Sequence, residues 1–219
     1  MAQESGRTKV AVLASGGGTN LQALIDAAAA PDFPAEICLV LTNSPGAYCL
    51  ERARLAGIPG RVIDHRDYPD RESFEREIDL VLREYGTEII CLAGFLRILT
   101  SSFVSLWLDR MLNIHPSLLP HFKGLHTHRR ALEAGHDTHG CSVHLVRPEL
   151  DDGPLIVQAE VPVLPGDTED SLGQRVLTRE HIIYPLALSL LASGRIDVAG
   201  DETRIDGKPG PLLLHWDDN

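Results

Sequence analysis

Apolar positions in this chain come in short runs separated by longer stretches of mixed character, and the two kinds alternate. Residues 9–14, 36–42 and 88–93 are strand-like apolar runs, and the near-continuous ones suit strands covered on both faces of a parallel sheet. Between them, residues 21–30 and 46–56 carry helix-forming residues, with Gly57 placed to end the second segment. Phe74, Ile78, Val81, Leu82 and Tyr85 recur at helical spacing and Gly86 follows them, which predicts an amphipathic helix with a glycine stop. A short strand is expected at 61–63, a helix near 101–106 and a strand at 111–115. Strand and helix alternating in this way imply parallel strands joined by crossover helices.

After His115 the pattern changes. Residues 139–146 and 155–163 are long strand-like segments joined by the acidic turn Asp151-Asp152-Gly153, which predicts antiparallel strands added to one end of the parallel sheet. Asp167-Thr168-Glu169-Asp170 offers an N-cap and an acidic first turn for a long helix to about Ala192. Pro185 is expected to kink or interrupt it. The tail from Ser193 is rich in Gly and Asp and ends in Leu212-Leu213-Leu214-His215-Trp216; it reads as a short hairpin on the domain or as a partly disordered end. The expected class is α/β, with a mainly parallel sheet flanked by helices and a C-terminal antiparallel extension, in one domain over 1–219.

Composition narrows the function without choosing it. A length of 219 residues, 43% hydrophobic and 23% charged, is ordinary for a globular domain. No apolar run is long enough to cross a bilayer, and residues 1–9 lack the apolar core of a signal peptide, so a cytoplasmic location is expected. Cys38, Cys49, Cys91 and Cys141 show no C-x-x-C pairing; Cys38 and Cys91 sit in apolar runs and are expected to be buried thiols. A formal net charge of −11 argues against a nucleic-acid partner. Anionic small molecules stay possible where local donors gather, with Arg71, Arg97 and the start of the first helix as candidates.

The most informative string is Leu112-Asn113-Ile114-His115-Pro116-Ser117-Leu118-Leu119-Pro120. Side chains two apart on a strand share a face, so Asn113 and His115 converge on one small volume, and the prolines fix the exit path. An amide donor beside an imidazole suits acyl transfer through a tetrahedral oxyanion; the same pair also reads as a turn-forming Asn and a half-exposed His. His144 and the turn carrying Asp151 follow downstream. Ser15-Gly16-Gly17-Gly18-Thr19-Asn20 lies between the first strand and helix, where glycines let backbone N–H groups approach an anion, although a plain glycine-rich turn fits as well. It is neither a Walker loop nor a G-x-G-x-x-G fingerprint. Leu96-Arg97-Ile98-Leu99 leaves a buried strand at its carboxyl end, where open α/β sheets place ligands. Arg71 stands at a helix start, where a cation is mildly unfavourable. His126, His128, His136 and His139 invite a metal reading, but on a polar segment beside Arg129 and Arg130 no metal site is expected.

Taken in order, the strings at 10–22, 93–99, 112–120 and 178–185 resemble those of the phosphoribosylglycinamide formyltransferases, folate-dependent enzymes of purine synthesis, over nearly the whole chain. The resemblance implies a Rossmann-like formyltransferase fold, with a nucleotide-binding half over about 8–115, a catalytic and folate half over about 116–192, and a tail over 193–219. It implies formyl transfer from 10-formyltetrahydrofolate, as co-substrate, to the amine of glycinamide ribonucleotide, with no metal. Asn113, His115 and Asp151 are then the catalytic residues: an oxyanion donor, a general acid, and a carboxylate that favours the imidazolium and organises a water. Gly18, Thr19, Asn20 and Glu180 hold the ribonucleotide; Thr19 stands where the family commonly has Ser and keeps the hydroxyl. Arg71, Leu96, Arg97, Ile98, Leu99 and Asn113 contact the folate, and His144 is a supporting neighbour of His115. Small molecules are the expected partners, with a monomer or homodimer as the assembly. Methionyl-tRNA formyltransferase and formyltetrahydrofolate deformylase share the Asn-x-His-Pro string but carry further domains for which this chain is expected to have no room. A non-catalytic folate- or nucleotide-binding module is the alternative of a different class.

Overall fold

The computed structural model describes residues 6–217; residues 1–5 and 218–219, the ends of the expected 1–219 unit, lie outside the described residues. The apolar runs form β1 (Thr8–Leu13), β2 (Ala35–Thr42), β3 (Gly60–Val62), β4 (Ile89–Leu92) and β5 (Met111–His115). Helices α1 (Thr19–Ala28), α2 (Cys49–Leu55), α3 (Arg71–Glu84) and α4 (Ser101–Leu106) connect them. These strands pair in parallel in the order β3-β2-β1-β4-β5. In β1, Val10 and Val12 join the core under one face of the sheet while Ala11 and Leu13 join the core under the other, all fully buried. Burying a Val or Leu side chain is worth about 1.5–3 kcal/mol, so a polar residue at either kind of position would be costly. That is why the run is continuous rather than alternating.

Past β5 come α5 (Thr127–Glu133), β6 (Thr138–Leu145), β7 (Leu155–Pro162) and α6 (Glu169–Ala192). β6 lies antiparallel to β5, and β7 antiparallel to β6, as the sequence pattern predicts. Thr168 caps α6 through a reciprocal pair with Ser171 (3.1 and 2.9 Å), which satisfies two otherwise orphaned N–H donors. Asp167, just outside the helix, instead binds the Arg175 guanidinium at 2.6 Å. Pro185 does not interrupt α6, which continues to Ala192. Ile183, Tyr184, Ala187 and Leu188, buried around it, hold the helix against the sheet despite the missing N–H.

The described part of the tail divides in two. β8 (Ile196–Ala199), β9 (Glu202–Ile205) and β10 (Lys208–Pro209) form a small antiparallel sheet, the expected hairpin. β11 (Leu212–Leu214) leaves it and pairs in parallel with β7, completing a main sheet of eight strands among the described residues. The apolar triplet is an edge strand because β7 offers it an open ladder, a partner distant in sequence. No described helix is long and apolar enough to cross a membrane.

Candidate active site

The strand order reverses between β1 and β4, and in open α/β sheets the crevice beyond the carboxyl ends at such a point receives ligands. Three segments meet along this edge: the loop after β1, the segment after β4 and the end of β5. Tyr184 from α6 pins the last two strands by donating its hydroxyl to Leu92 O at 2.9 Å, with Leu112 O at 3.3 Å. No sequence signal marked that contact.

In β5, Leu112 and Ile114 point into the core on one side, while Asn113 and His115 share the other face. β6 places His144 directly opposite Asn113 and Ser142 opposite His115. The Asn113 amide lies 3.1 Å from His144 Nε2 and 3.5 Å from Asp151 Oδ1. His144 Nδ1 faces Leu145 O at 3.0 Å. A carbonyl only accepts, so Nδ1 bears the proton in the neutral ring and Nε2 accepts from the amide. His144 is thus a structural neighbour of the His115 site, as expected, and its hydrogen bond goes to Asn113 because the antiparallel register pairs those two residues.

Asp151 arrives from the β6–β7 connection in a left-handed conformation (φ 50°). Its Oδ2 accepts the Gly124 N–H at 2.9 Å and lies 3.4 Å from His115 Nδ1. The turn depends on Gly153, where a Cβ would stand 1.7 Å from Leu145 O. His115 is buried, and its Nε2 meets Phe122 O at 3.0 Å. Ser142 fixes the proline loop, donating to Ser117 O at 2.7 Å and accepting from Leu119 N at 3.0 Å. Asn113 and His115 from β5 thus meet Asp151 from the β6–β7 connection.

Burial pushes the His115 imidazole below its ordinary range, and the Asp151 carboxylate and Phe122 carbonyl only partly restore it. Asp151 pulls in the expected direction, but desolvation wins. For Asp151, burial raises the carboxyl, yet the neighbouring His144 and His115 imidazoles and the Gly124 N–H together leave it lowered. The arrangement therefore holds a carboxylate, an imidazole and an amide N–H around one volume. Such a set can donate to a developing oxyanion and move a proton.

The glycine loop leads into α1, whose first turn has no side-chain cap and no acidic residue. Gly18, at φ 70°, needs to be glycine: a Cβ there would lie 2.9 Å from Cys49 Cβ. Asn20 donates to Glu180 Oε2 at 2.7 Å, which joins two of the expected ribonucleotide residues across 160 positions. Burial raises the Glu180 carboxyl above its usual range, with the Asn20 hydrogen bond opposing. Among the described residues, Asn20 Oδ1 and His181 Nε2 are buried with no hydrogen-bond partner. Arg52 reaches Gly17 O at 2.7 Å and brings a positive charge to the loop, a role its place in an ordinary helical segment did not reveal.

Arg71 opens α3, with Asp70 as N-cap accepting from Ser73 N at 2.7 Å. Arg71 and Arg97 line one cleft of about 280 Å³ with His65, Tyr68 and Phe74. Leu96 and Ile98 are exposed, whereas Leu99 is buried in the core beside α3 and α4. Of the histidines farther on, His128 and His139 form a hydrogen-bonded pair at 3.1 Å. Among the described residues no group of three or more His, Cys, Asp or Glu side chains is arranged to hold a metal ion. All four cysteines are free, and Cys38 is half-buried rather than buried, since β2 is only partly covered from Glu36 to Cys38 and fully buried from Leu39 onward.

Fold and site together define a class: α/β proteins that gather an amide, an imidazole and a carboxylate beside a sheet's switch point, as acyl-group transfer requires. The formyl transferase family profile matches residues 8–188, and the chain belongs to that family. It is similar to the phosphoribosylglycinamide formyltransferase of Escherichia coli (strain K12), with 47% identity over 92% of this chain and 95% of the relative. It is 50% identical to the trifunctional purine biosynthetic protein adenosine-3 of Homo sapiens over 89% of this chain, but spans only 19% of that protein's length. The solved phosphoribosylglycinamide formyltransferase of Coxiella burnetii, in complex with CHES, superposes with a TM-score of 0.91 at 45% identity, covering 95% of this chain and 100% of the other.

Proposed function

We propose that this protein transfers the formyl group of 10-formyltetrahydrofolate to the amine of glycinamide ribonucleotide, giving formylglycinamide ribonucleotide and tetrahydrofolate in purine synthesis. The observation that carries the reading is the meeting of Asn113, His115 and Asp151 at the switch-point edge. Near-full-length similarity to a bacterial phosphoribosylglycinamide formyltransferase supports it.

The substrate amine attacks the formyl carbon, and a tetrahedral oxyanion forms. Asn113 Nδ2–H and a ring N–H of His115 stabilise that charge. The new C–N bond is kept, the bond from carbon to N10 breaks, and one proton passes from the amine to N10. Asp151 organises a water for that proton and raises the basicity of His115. Glycinamide ribonucleotide lies along Gly18, Thr19 and Asn20, with its phosphate at the uncapped α1 start, and Glu180 contacts its glycinamide or ribose portion. The pterin lies against Leu96, Arg97, Ile98 and Leu99, and Arg71 meets the anionic glutamate end. Residues 1–219 act as one catalytic unit, a cytoplasmic monomer or homodimer that requires no metal.

The test is spectroscopic, following 10-formyltetrahydrofolate with and without glycinamide ribonucleotide. Donor consumed only when the ribonucleotide is present is the expected result. Consumption without it makes the protein a deformylase-like hydrolase. Binding without consumption makes it a non-catalytic folate module.

A further inference from the structure

One side chain joins the two loops that flank the switch point. Ser15, at the head of the glycine loop, donates its hydroxyl to Asn43 Oδ1 at 2.6 Å. The same oxygen accepts the Leu96 backbone N–H at 2.8 Å. Ser15 also donates its own N–H to Gly94 O at 3.1 Å. The hydroxyl has a single proton and uses it on Asn43, which is itself buried, so the Oγ lone pairs face Leu96 and the rotor is fixed. Moving Ser15 therefore disturbs the segment after β4 directly.

The surroundings make that link consequential. At Gly16 and Gly17 an added Cβ would meet nothing within 4 Å, so one face of the glycine loop is open to a ligand, while its carbonyls are held from behind by Cys49 N at 3.1 Å and Arg52 Nε at 2.7 Å. The Leu96 side chain is 74% exposed and gives its own position no apolar anchor. The far end of its segment is held separately, by Thr100 N donating to the buried Glu75 carboxylate at 2.8 Å. The near end relies on Ser15 and the buried Phe95.

We propose that Ser15 is a positioning residue that couples the two substrate subsites. Engagement of the open face of the glycine loop by the anionic ribonucleotide passes through the Ser15 hydroxyl to the Leu96 backbone, and each substrate tightens the other. This rests on the substrate assignment above. Coupling between binding sites is reciprocal, with typical factors of about 5–150, so it is measurable from either ligand.

The experiment uses tetrahydrofolate, which has no formyl group to transfer, and measures its affinity for the full chain by calorimetry with and without saturating glycinamide ribonucleotide. The wild type should bind it at least about five-fold more tightly with the ribonucleotide present. Ser15→Ala should bring that ratio close to one, and Ser15→Thr, which keeps the hydroxyl, should restore it. A wild-type ratio of one overturns the proposal. So does an alanine variant that loses stability and both single-ligand affinities yet keeps the wild-type ratio, because its role is then structural only. Where Ser15→Ala fails to fold, hydrogen exchange at the wild-type Leu96 amide decides. Slower exchange with the ribonucleotide alone is expected, and unchanged exchange refutes the coupling. A turnover assay on the same wild-type sample separates the two ideas: absent formyl transfer sinks the substrate assignment, whereas transfer with a ratio of one sinks only the coupling.

Discussion

Asp151→Asn tests the electrostatics of the site with little change of shape. The carboxamide keeps an oxygen for the Gly124 N–H but removes a negative charge 3.4 Å from His115 Nδ1. At an effective dielectric of about 20, Coulomb's law gives about 5 kcal/mol for unit charges at that separation. At about 1.36 kcal/mol per decade, the ceiling on the rate effect is nearly four orders of magnitude. General acid–base catalysis commonly supplies about 10²–10⁴-fold, so kcat should fall within that range. The pH dependence has a definite sign. Burial already lowers the His115 pKa and Asp151 opposes it, so removing the carboxylate lowers it further. Activity that needs the imidazolium is present below this pKa and lost as pH rises through it; that limb should move toward acid in the variant. Steady-state kinetics of formyl transfer across pH 5–9, alongside tetrahydrofolate binding, provide the measurement. A reduced kcat with an unmoved limb would refute the argument that Asp151 tunes His115.

Other outcomes follow from the same geometry. His115→Ala should lower kcat by about 10²–10⁴-fold while tetrahydrofolate affinity changes little; equal losses in both would argue against a chemical role. Gly153→Ala would press a Cβ to 1.7 Å from Leu145 O, so denaturant unfolding should show a loss of at least about 1–3 kcal/mol, with activity falling as Asp151 is displaced. Unchanged stability would mean that the turn is not fixed by that contact. Burial lowers the pKa of His139 from 6.5 to about 4, so the native state binds fewer protons than the unfolded chain between those values. Stability should therefore decline as pH falls through that window, by up to about 3 kcal/mol from this group. His139→Gln should show a shallower decline in urea titrations, and an identical slope would exclude the group as a source.

The chain by itself determined the alternation of parallel strands and helices, because strands buried on both faces must be apolar throughout and the helices between them need only one apolar stripe. It also determined that Asn113 and His115 share a face, since a two-residue spacing on a strand allows nothing else. The string at 112–120 and its three companions were specific enough to indicate the family. Distant chain partners were not legible. The pairing of His144 with Asn113 depends on the β5–β6 register, and β11 is an edge strand only because β7 offers an open ladder. Joining Asn20 to Glu180, and Ser15 to Leu96, took the packing of α6 and β4 against β1 and α1. The balance at His115 was undecidable from sequence for a related reason: a nearby carboxylate and burial push its pKa in opposite directions, and only the tertiary structure sets how much water each side chain has lost.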